Sequence, residues 1–433
     1  MRARHAGRTH RPSRHRTSKH RSAKHHTVKH PVAKRRTTRA AAQRLAIARL
    51  RIAESHRSFA FAAVGVLLML GSCALPRVEA PPVHRLALVA TDFERLPGWS
   101  VDHIAEALPA LQRSCDAFAK LPDDASLGKS GIGGTALDWA SACDAVASLP
   151  LGDDKAAAEY FNAYFQPFVA LDQAPNQGLF TGYYEMELDG SRQPSGDYKV
   201  PLYKAPDPPV TFSRAEIDAG ALKNRKLEFM WLKDPVDVFM LQIQGSAVIK
   251  LPDGSLTRVG YAGNNGQDFV PVGKLMIQGG VVPKDKTSAQ SIRDWLKAHP
   301  KEGQTWMQKN PRYIFFRELG ADAASLPGPS GALGVTLTPT RSIAVDPAFL
   351  PLGVPVWLDT KAPDGTALQR LMVAQDVGSA IKGPIRGDLF WGTGATALEF
   401  AGRMKSNGRY YVLLPKAATH STVILSDLGD GMN

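Results

Sequence analysis

Only three cysteines occur in the 433 residues, and neither a Cys-x-x-Cys pair nor a His-Glu-x-x-His sequence is present. A thiolate zinc cage and a zincin helix are therefore excluded. Outside the first 57 residues the histidines are His84, His103, His299 and His420, too scattered for a metal site, so no metal and no cofactor are expected. A Gly-x-Ser-x-Gly elbow is also missing, which disfavours a serine hydrolase. Acidic residues are almost absent from residues 1–57, where Glu54 stands alone against 18 Lys/Arg and eight histidines. The rest of the chain carries 35 basic and 39 acidic residues, so the formal charge of +13 belongs to the N-terminal segment.

That segment holds too little apolar surface to fold alone. Its charge suits nucleic acid or an anionic membrane. Directly after it, Phe59 to Leu70 form an apolar run shorter than a bilayer span that matches the core of a signal peptide, so the basic stretch reads as a long leader and no nucleic-acid partner is expected. Leu70-Gly71-Ser72-Cys73 resembles the lipobox of bacterial lipoproteins. Lipid on Cys73 would anchor the mature chain to a membrane. Ala74 in place of Asp favours the outer membrane, at its periplasmic face. In that oxidising compartment Cys115 and Cys143, each on a helical pattern, are predicted to form a disulfide; two buried thiols remain the alternative.

In chain order, residues 1–73 are leader and lipobox, 74–100 a Pro-rich linker, and 101–190 a helical segment running into the first part of a barrel. Aromatic and polar residues alternate from Gly178 to Asp189 as in a strand. Residues 191–328 read as a smaller β-rich domain, with a strand drawn through Phe239 to Lys250, a hairpin turn at Pro252-Asp253-Gly254 and a helix from Ser288 to Ala298. Short strands resume over 329–433, at Gly334–Leu337, Ser342–Asp346, Val354–Leu358, Leu371–Asp376 and Tyr410–Leu414. Close strand spacing with Gly and Pro between favours a small closed barrel.

Within the last region, the apolar runs Leu371 to Ala374 and Leu389 to Trp391 read as buried strands, and each has an aspartate at its edge, Asp376 and Asp388. A carboxyl group beside so much apolar surface loses hydration of its charged form, its pKa rises, and it becomes able to donate a proton near neutrality. An aspartate next to glycine also serves as a turn cap, and local pattern alone leaves both readings open.

Longer motifs decide between them. Gly182-Tyr-Tyr-Glu185, Asp234-Pro-Val-Asp237, Gln242-Ile-Gln-Gly-Ser246, Tyr261-Ala-Gly-Asn-Asn-Gly266, Asn310-Pro-Arg-Tyr-Ile-Phe-Phe316, Arg341-Ser-Ile-Ala-Val-Asp346, Ala374-Gln-Asp376 and Gly387-Asp388-Leu-Phe-Trp-Gly392 resemble the membrane-bound lytic transglycosylase A (MltA) family from about Leu179 to Pro415. The resemblance implies a mainly β protein with N-terminal α-helices, a double-psi β-barrel with a smaller β-rich domain inserted, and a sugar groove between them. Its C-terminal module is similar to a barrel named for three aspartates, here Asp346, Asp376 and Asp388. By carry-over, Asp388 is catalytic and Asp376 assists it. Thr181, Gly182, Tyr183, Tyr184, Glu185, Gln244, Ser246, Asp346 and Trp391 are candidate substrate-binding residues, with Gln242 as a further hydrogen-bonding candidate. The implied activity is a peptidoglycan lytic exotransglycosylase, with glycan strands and other cell-wall enzymes as candidate partners. Two alternatives stay open: a water-using glycosidase with Asp376 or Glu185 as second carboxylate, and a non-catalytic wall-binding lipoprotein.

Overall fold

The computed structural model describes residues 84–172, 177–284 and 287–420, so the basic leader and Cys73 lie outside the described residues. Among the described residues thirteen strands occur, in chain order: β1 (Leu86–Ala90), β2 (Phe165–Asp172), β3 (Gly178–Ser191), β4 (Val200–Tyr203), β5 (Glu228–Leu232), β6 (Ser246–Lys250), β7 (Leu256–Asn264), β8 (Ile314–Leu319), β9 (Ser342–Val345), β10 (Pro355–Lys361), β11 (Ala367–Asp376), β12 (Arg386–Thr393) and β13 (Lys405–Pro415).

Six of them close a ring. β3 pairs in parallel with β12, β12 antiparallel with β9, β9 in parallel with β11, β11 antiparallel with β10, and β10 antiparallel with β13. The first residues of β13, Lys405 to Gly408, then return to β3 and complete the circle. Closure leaves no free edge within the ring. The far end of β13 continues onto β2, and β2 onto β1. Residues 86–95, within the stretch read as linker, are thus ordered as a strand and a helical turn, because Leu86 to Ala90 finds an unpaired edge on β2.

Helices Leu108–Phe118, Ala136–Val146 and Asp154–Tyr164 pack beside the ring, their starts set by a proline in the first turn, a capping box at Thr135 and the Asp153 cap. Trp139, Phe161, Phe165, Phe168 and Trp357 join them to the barrel in one core. Arg341 ties the same layer down from inside, pairing with Asp102 at 2.7 Å and Glu106 at 2.8 Å.

The second sheet grows from β3 itself. Met186 to Asp189 pair in parallel with β6, and β7 and β8 continue it antiparallel, while β4 and β5 attach at Gly190 and Ser191. The turn at Pro252 to Gly254 joins β6 to β7, with Gly254 at φ 85°, and the helix at Ala289–Ala298 starts on a Ser288 cap. Helices at Arg214–Asp218, Pro235–Gln244, Val272–Gln278, Ala289–Ala298 and Pro300–Gln308 make this region mixed α/β, not simply β-rich.

Two predicted strands are absent. Phe239 to Gln244 belong to the helix Pro235–Gln244: Asp234 caps its start by accepting from Val236 N, Pro235 occupies the first turn, and Gly245 at φ 90° ends it. The true strand begins only at Ser246. Gly334 to Leu337 form no named strand and instead lie in a loop held by the Leu337 N to Pro329 O hydrogen bond.

Cys115 and Cys143 are joined by a disulfide with their Cα atoms 5.3 Å apart, linking the first two long helices across a sequence separation of 28. Replacing both cysteines by alanine should destabilise this layer by roughly 3.5 kcal/mol from loop entropy. Denaturant unfolding with and without reductant measures it; a reductant-insensitive midpoint in the parent would contradict the clamp.

Candidate functional site

Strand register gathers the candidate residues into one row. On β12, Asp388 stands opposite Thr181 of β3 on one side and Ala344 of β9 on the other, and Ala344 in turn stands opposite Asp376 of β11. Two strand spacings, about 10 Å of backbone, separate the aspartates. The residue between them carries only a methyl group. Asp376 reaches the row because β11 bulges at Gln375. The extra residue turns inward, where Gln375 Nε2 donates to Ala110 O at 2.7 Å and its Oε1 accepts from Ser342 Oγ at 2.7 Å. The bulge re-aims the next side chain.

Hydrogen bonding at Asp388 is directional. Arg386 Nη2 donates to Thr181 Oγ1 at 2.8 Å, and a guanidinium can only donate. The Thr181 hydroxyl proton is therefore directed to Asp388 Oδ1, 2.5 Å away. Burial pushes the Asp388 carboxyl up to about 6; Thr181 and the Arg386 guanidinium hold it down, and neighbouring Asp376 adds to the rise. Asp376 accepts from Tyr183 OH at 2.9 Å on Oδ2 and from Ala332 N at 2.9 Å on Oδ1. Burial raises its pKa as well, against those donors.

Tyr183 and Asp376 stand on the wall of a cleft of about 510 Å³, together with Gln244 from the end of the helix Pro235–Gln244, Ser246 at the start of β6 and the loop Pro329 to Ala332. Asp388 is not on that wall; it is half-buried within electrostatic reach of both Tyr183 and Asp376. Ile243, Tyr261 and Val377, 43%, 49% and 40% exposed, line the same cleft, so large apolar side chains that water would not favour are concentrated there. Arg312 and Arg317 add positive charge. Among the described residues no cluster of three metal-ligating side chains occurs.

The remaining candidates are engaged by neighbouring groups of the protein. Tyr184 is buried in the second core, its backbone N–H donating to Gln244 Oε1 at 3.2 Å, because it faces away from Tyr183 along β3. Glu185, fully buried, pairs with Arg258 Nη2 at 2.9 Å and accepts from Thr393 Oγ1 at 2.9 Å. Ser246 borders the cleft, and its hydroxyl lies near enough to Glu185 to oppose the rise of that carboxyl's pKa. Gly182 touches no ligand space: a Cβ there would lie 2.6 Å from Trp391 Nε1 and 2.8 Å from Ala401 Cα. Trp391 is stacked on Phe400 at 4.9 Å with its N–H on Met404 Sδ, so it offers no free sugar platform. Asp346 is buried and accepts from Ala348 N and Gly383 N, pinning the loop between β11 and β12.

Sequence reasoning assigned no role to Arg386, Tyr261 or the Ala332 amide. The first had a signal: two residues before Asp388 on a strand, Arg386 must share its face. Arg258, 73 residues from Glu185, had none. Besides pairing with Glu185, it donates to Gly328 O at 2.7 Å and Leu326 O at 3.1 Å, fixing the start of the loop that carries Ala332.

Comparison with known proteins places this arrangement in a class. The family model described as the MltA specific insert domain matches residues 179–317, and that of the 3D domain matches residues 341–414. Membrane-bound lytic murein transglycosylase A of Vibrio cholerae is 33% identical over 244 residues, 54% of this chain and 65% of that protein. The Escherichia coli K12 protein of the same name is 35% identical over 254 residues, 56% of this chain and 68% of its own length. Thus this chain spans about two thirds of those relatives. A membrane-bound lytic murein transglycosylase from Agrobacterium tumefaciens superposes with a TM-score of 0.68 at 31% identity, covering 77% of this chain and 99% of that one. Escherichia coli MltA crystallised with bound chitohexaose gives 0.58 at 26% identity, covering 76% and 94%. The chain belongs to the membrane-bound lytic murein transglycosylase A family.

The relay from Arg386 through Thr181 to Asp388 has a direct readout. In protein carrying carboxyl-labelled aspartate, the Asp388 signal should titrate near 6, and higher in both Thr181→Val and Arg386→Gln, since each removes an influence that lowers the pKa. An unmoved titration in both variants contradicts the relay.

Proposed function

We propose that this protein is a peptidoglycan lytic transglycosylase that cleaves the β-1,4 bond between N-acetylmuramic acid and N-acetylglucosamine, leaving 1,6-anhydromuramoyl ends. The observation that carries this reading is the row that sets Asp388 beside Thr181 and Asp376, with Asp388 Oδ1 accepting from a hydroxyl of fixed direction and burial pushing its carboxyl up to about 6. We take the closed ring to be a double-psi barrel, with Asp346, Asp376 and Asp388 as its three aspartates.

In the proposed reaction Asp388 carries its proton on Oδ2 and gives it to the leaving glycosidic oxygen as the C1–O bond breaks. The sugar's own C6 hydroxyl oxygen attacks C1, and its proton returns to the Asp388 carboxylate, so one group acts as acid and then base and no water is consumed. Asp376, held by the donors Tyr183 and Ala332, orients the row beside Asp388, and its charge when ionised would stabilise the oxocarbenium-like state and favour the protonated form of Asp388. Tyr261, Ile243 and Val377 would take apolar sugar faces, and Gln244 and Tyr183 their polar groups.

Support for this reading over a water-using glycosidase comes from the second carboxylates. Glu185 is fully buried against Arg258 and does not line the cleft, whereas Asp376 does. Asp376 stands in the same row of the barrel as Asp388, not on a facing wall where the base for an attacking water would sit. The lipid anchor at Cys73 and a periplasmic, outer-membrane location are part of the same proposal.

Digestion of purified peptidoglycan in ¹⁸O-labelled water should yield anhydro ends without ¹⁸O; labelled reducing ends would move the protein to the hydrolase class. Asp388→Asn should lower turnover by on the order of 10²-fold or more. Its fold should survive and gain stability at pH 7. The native carboxyl holds its proton to about 6 whereas the unfolded one loses it near 4, so parent stability declines as pH rises between these values and Asn avoids the loss. Cys73→Ser should release the protein from the membrane fraction, and unchanged fractionation without acyl label would count against the anchor.

A further inference from the structure

A second cavity lies apart from the cleft. About 600 Å³ in volume, it lies within the inserted region and is walled mainly by Val236, Phe239, Ile217, Leu296 and Met307. One side chain, Gln242, borders both this cavity and the cleft. Gln242 is 6% exposed, and neither its Nε2 nor its Oε1 has a hydrogen-bond partner. The Tyr313 hydroxyl is near enough to feel the amide but lies outside hydrogen-bonding geometry. A buried amide left unpaired is destabilising, and a partner group entering the cavity beside it would relieve that cost.

The chemistry of the walls narrows what that is. Arg214 is not available as an anion site: its guanidinium lies over the Phe239 and Tyr313 rings at 4.8 and 5.2 Å and donates to Asn310 O and Arg312 O. Aliphatic walls suit small alkyl groups, whereas a sugar presents hydroxyls all around and would leave most of them unpaired here. The unpaired donor and acceptor of Gln242 match the carbonyl and N–H of one peptide group. Lys297 is held by Asp234 and Asp237, and Asp218 and Asp234 line the cavity beside exposed Lys301, so the charges at its rim are of both signs and the unpaired amide is what distinguishes the ligand.

We propose that this cavity binds the alanine-containing peptide branch of a peptidoglycan strand whose glycan lies in the cleft, with Gln242 reading a peptide group at the junction of the two spaces. The proposal rests on the transglycosylase reading and deepens it, by making the inserted region a sensor of the peptide substituent.

The test compares kcat/KM on peptide-bearing strands with that on strands stripped of peptide by an amidase, for the parent, Gln242→Met and Gln304→Trp. The second variant fills the mouth from an exposed helical position and leaves the cleft intact. The parent should prefer peptide-bearing strands, and both variants should lose about tenfold of that preference, as expected for two lost hydrogen bonds or a blocked entry. Gln304→Trp should cleave stripped strands as the parent does. N-acetyl-D-alanyl-D-alanine, added to the parent, should shift the Met307 methyl resonance, and should not do so in Gln304→Trp. An equal preference in all three proteins, or no Met307 shift in the parent, overturns the proposal. If the parent cleaves neither kind of strand, it is the transglycosylase reading that fails.

Discussion

Everything at the site depends on one strand serving two sheets. β3 runs unbroken from Gly178 to Ser191; its first half closes the barrel between β12 and β13, and its second half starts the inserted sheet by pairing with β6. Such sharing requires close approach on both sides. A Cβ at Gly178 would sit 2.0 Å from Ile385 O, and one at Gly190 would sit 2.6 Å from Ile249 Cγ2. No side chain fits at either place. With the strand so confined, Thr181 and Tyr183 are delivered to the two aspartates from the barrel half, while Tyr184 and Glu185 turn into the interior where the halves join.

The carboxyl groups in this region divide by partner, not by burial. Glu185 is more buried than Asp388, yet it is matched by the equally buried guanidinium of Arg258. An ion pair of that kind contributes little net stability but strongly resists loss of either member. Its use here is geometric, because Arg258 also grips Gly328 and Leu326 and so sets the loop whose Ala332 amide meets Asp376. Asp388 has no such cation in contact. Arg386 is joined to it by hydrogen bonds only through Thr181, and together they offset the burial of the carboxyl in part. The fold tolerates this at one position because the rest of the row, Ala344 and Thr181, is small and well paired.

The barrel half of the chain was largely legible. β9, β10, β11 and β13 fall close to the predicted strands, and the aspartate at the end of each apolar run meets its neighbour because register follows from that alternation. Partner identity was not legible: Arg258 and Glu185, or Arg341 and Asp102, stand far apart in sequence and meet only through tertiary closure. Trp391 shows the same limit, since nothing in Asp388-Leu-Phe-Trp391 tells that Phe400, on a later helix, will cover its ring. Linker residues 86–95 were missed because their partner edge on β2 had no local trace.

Of the two misread strands, the one through Phe239 is the more informative. Read as a strand, Gln242, Gln244 and Ser246 alternate onto one face and make a row of sugar-binding groups. As the last turn of a helix capped by Asp234 and stopped at Gly245, Gln242 and Gln244 point about 200° apart. The two amides are thereby separated in task. Gln244 turns to β3, where it accepts from Tyr184 N and faces the cleft. Gln242 turns toward Phe239 and Tyr313 and is left between two spaces with nothing of its own to bond. Local propensity favours neither outcome, as β-branched and long side chains alternate through the segment; the proline, the cap and the glycine decide it. Because the strand begins at Ser246 and not at Phe239, a single groove wall is divided into a cleft and a second cavity.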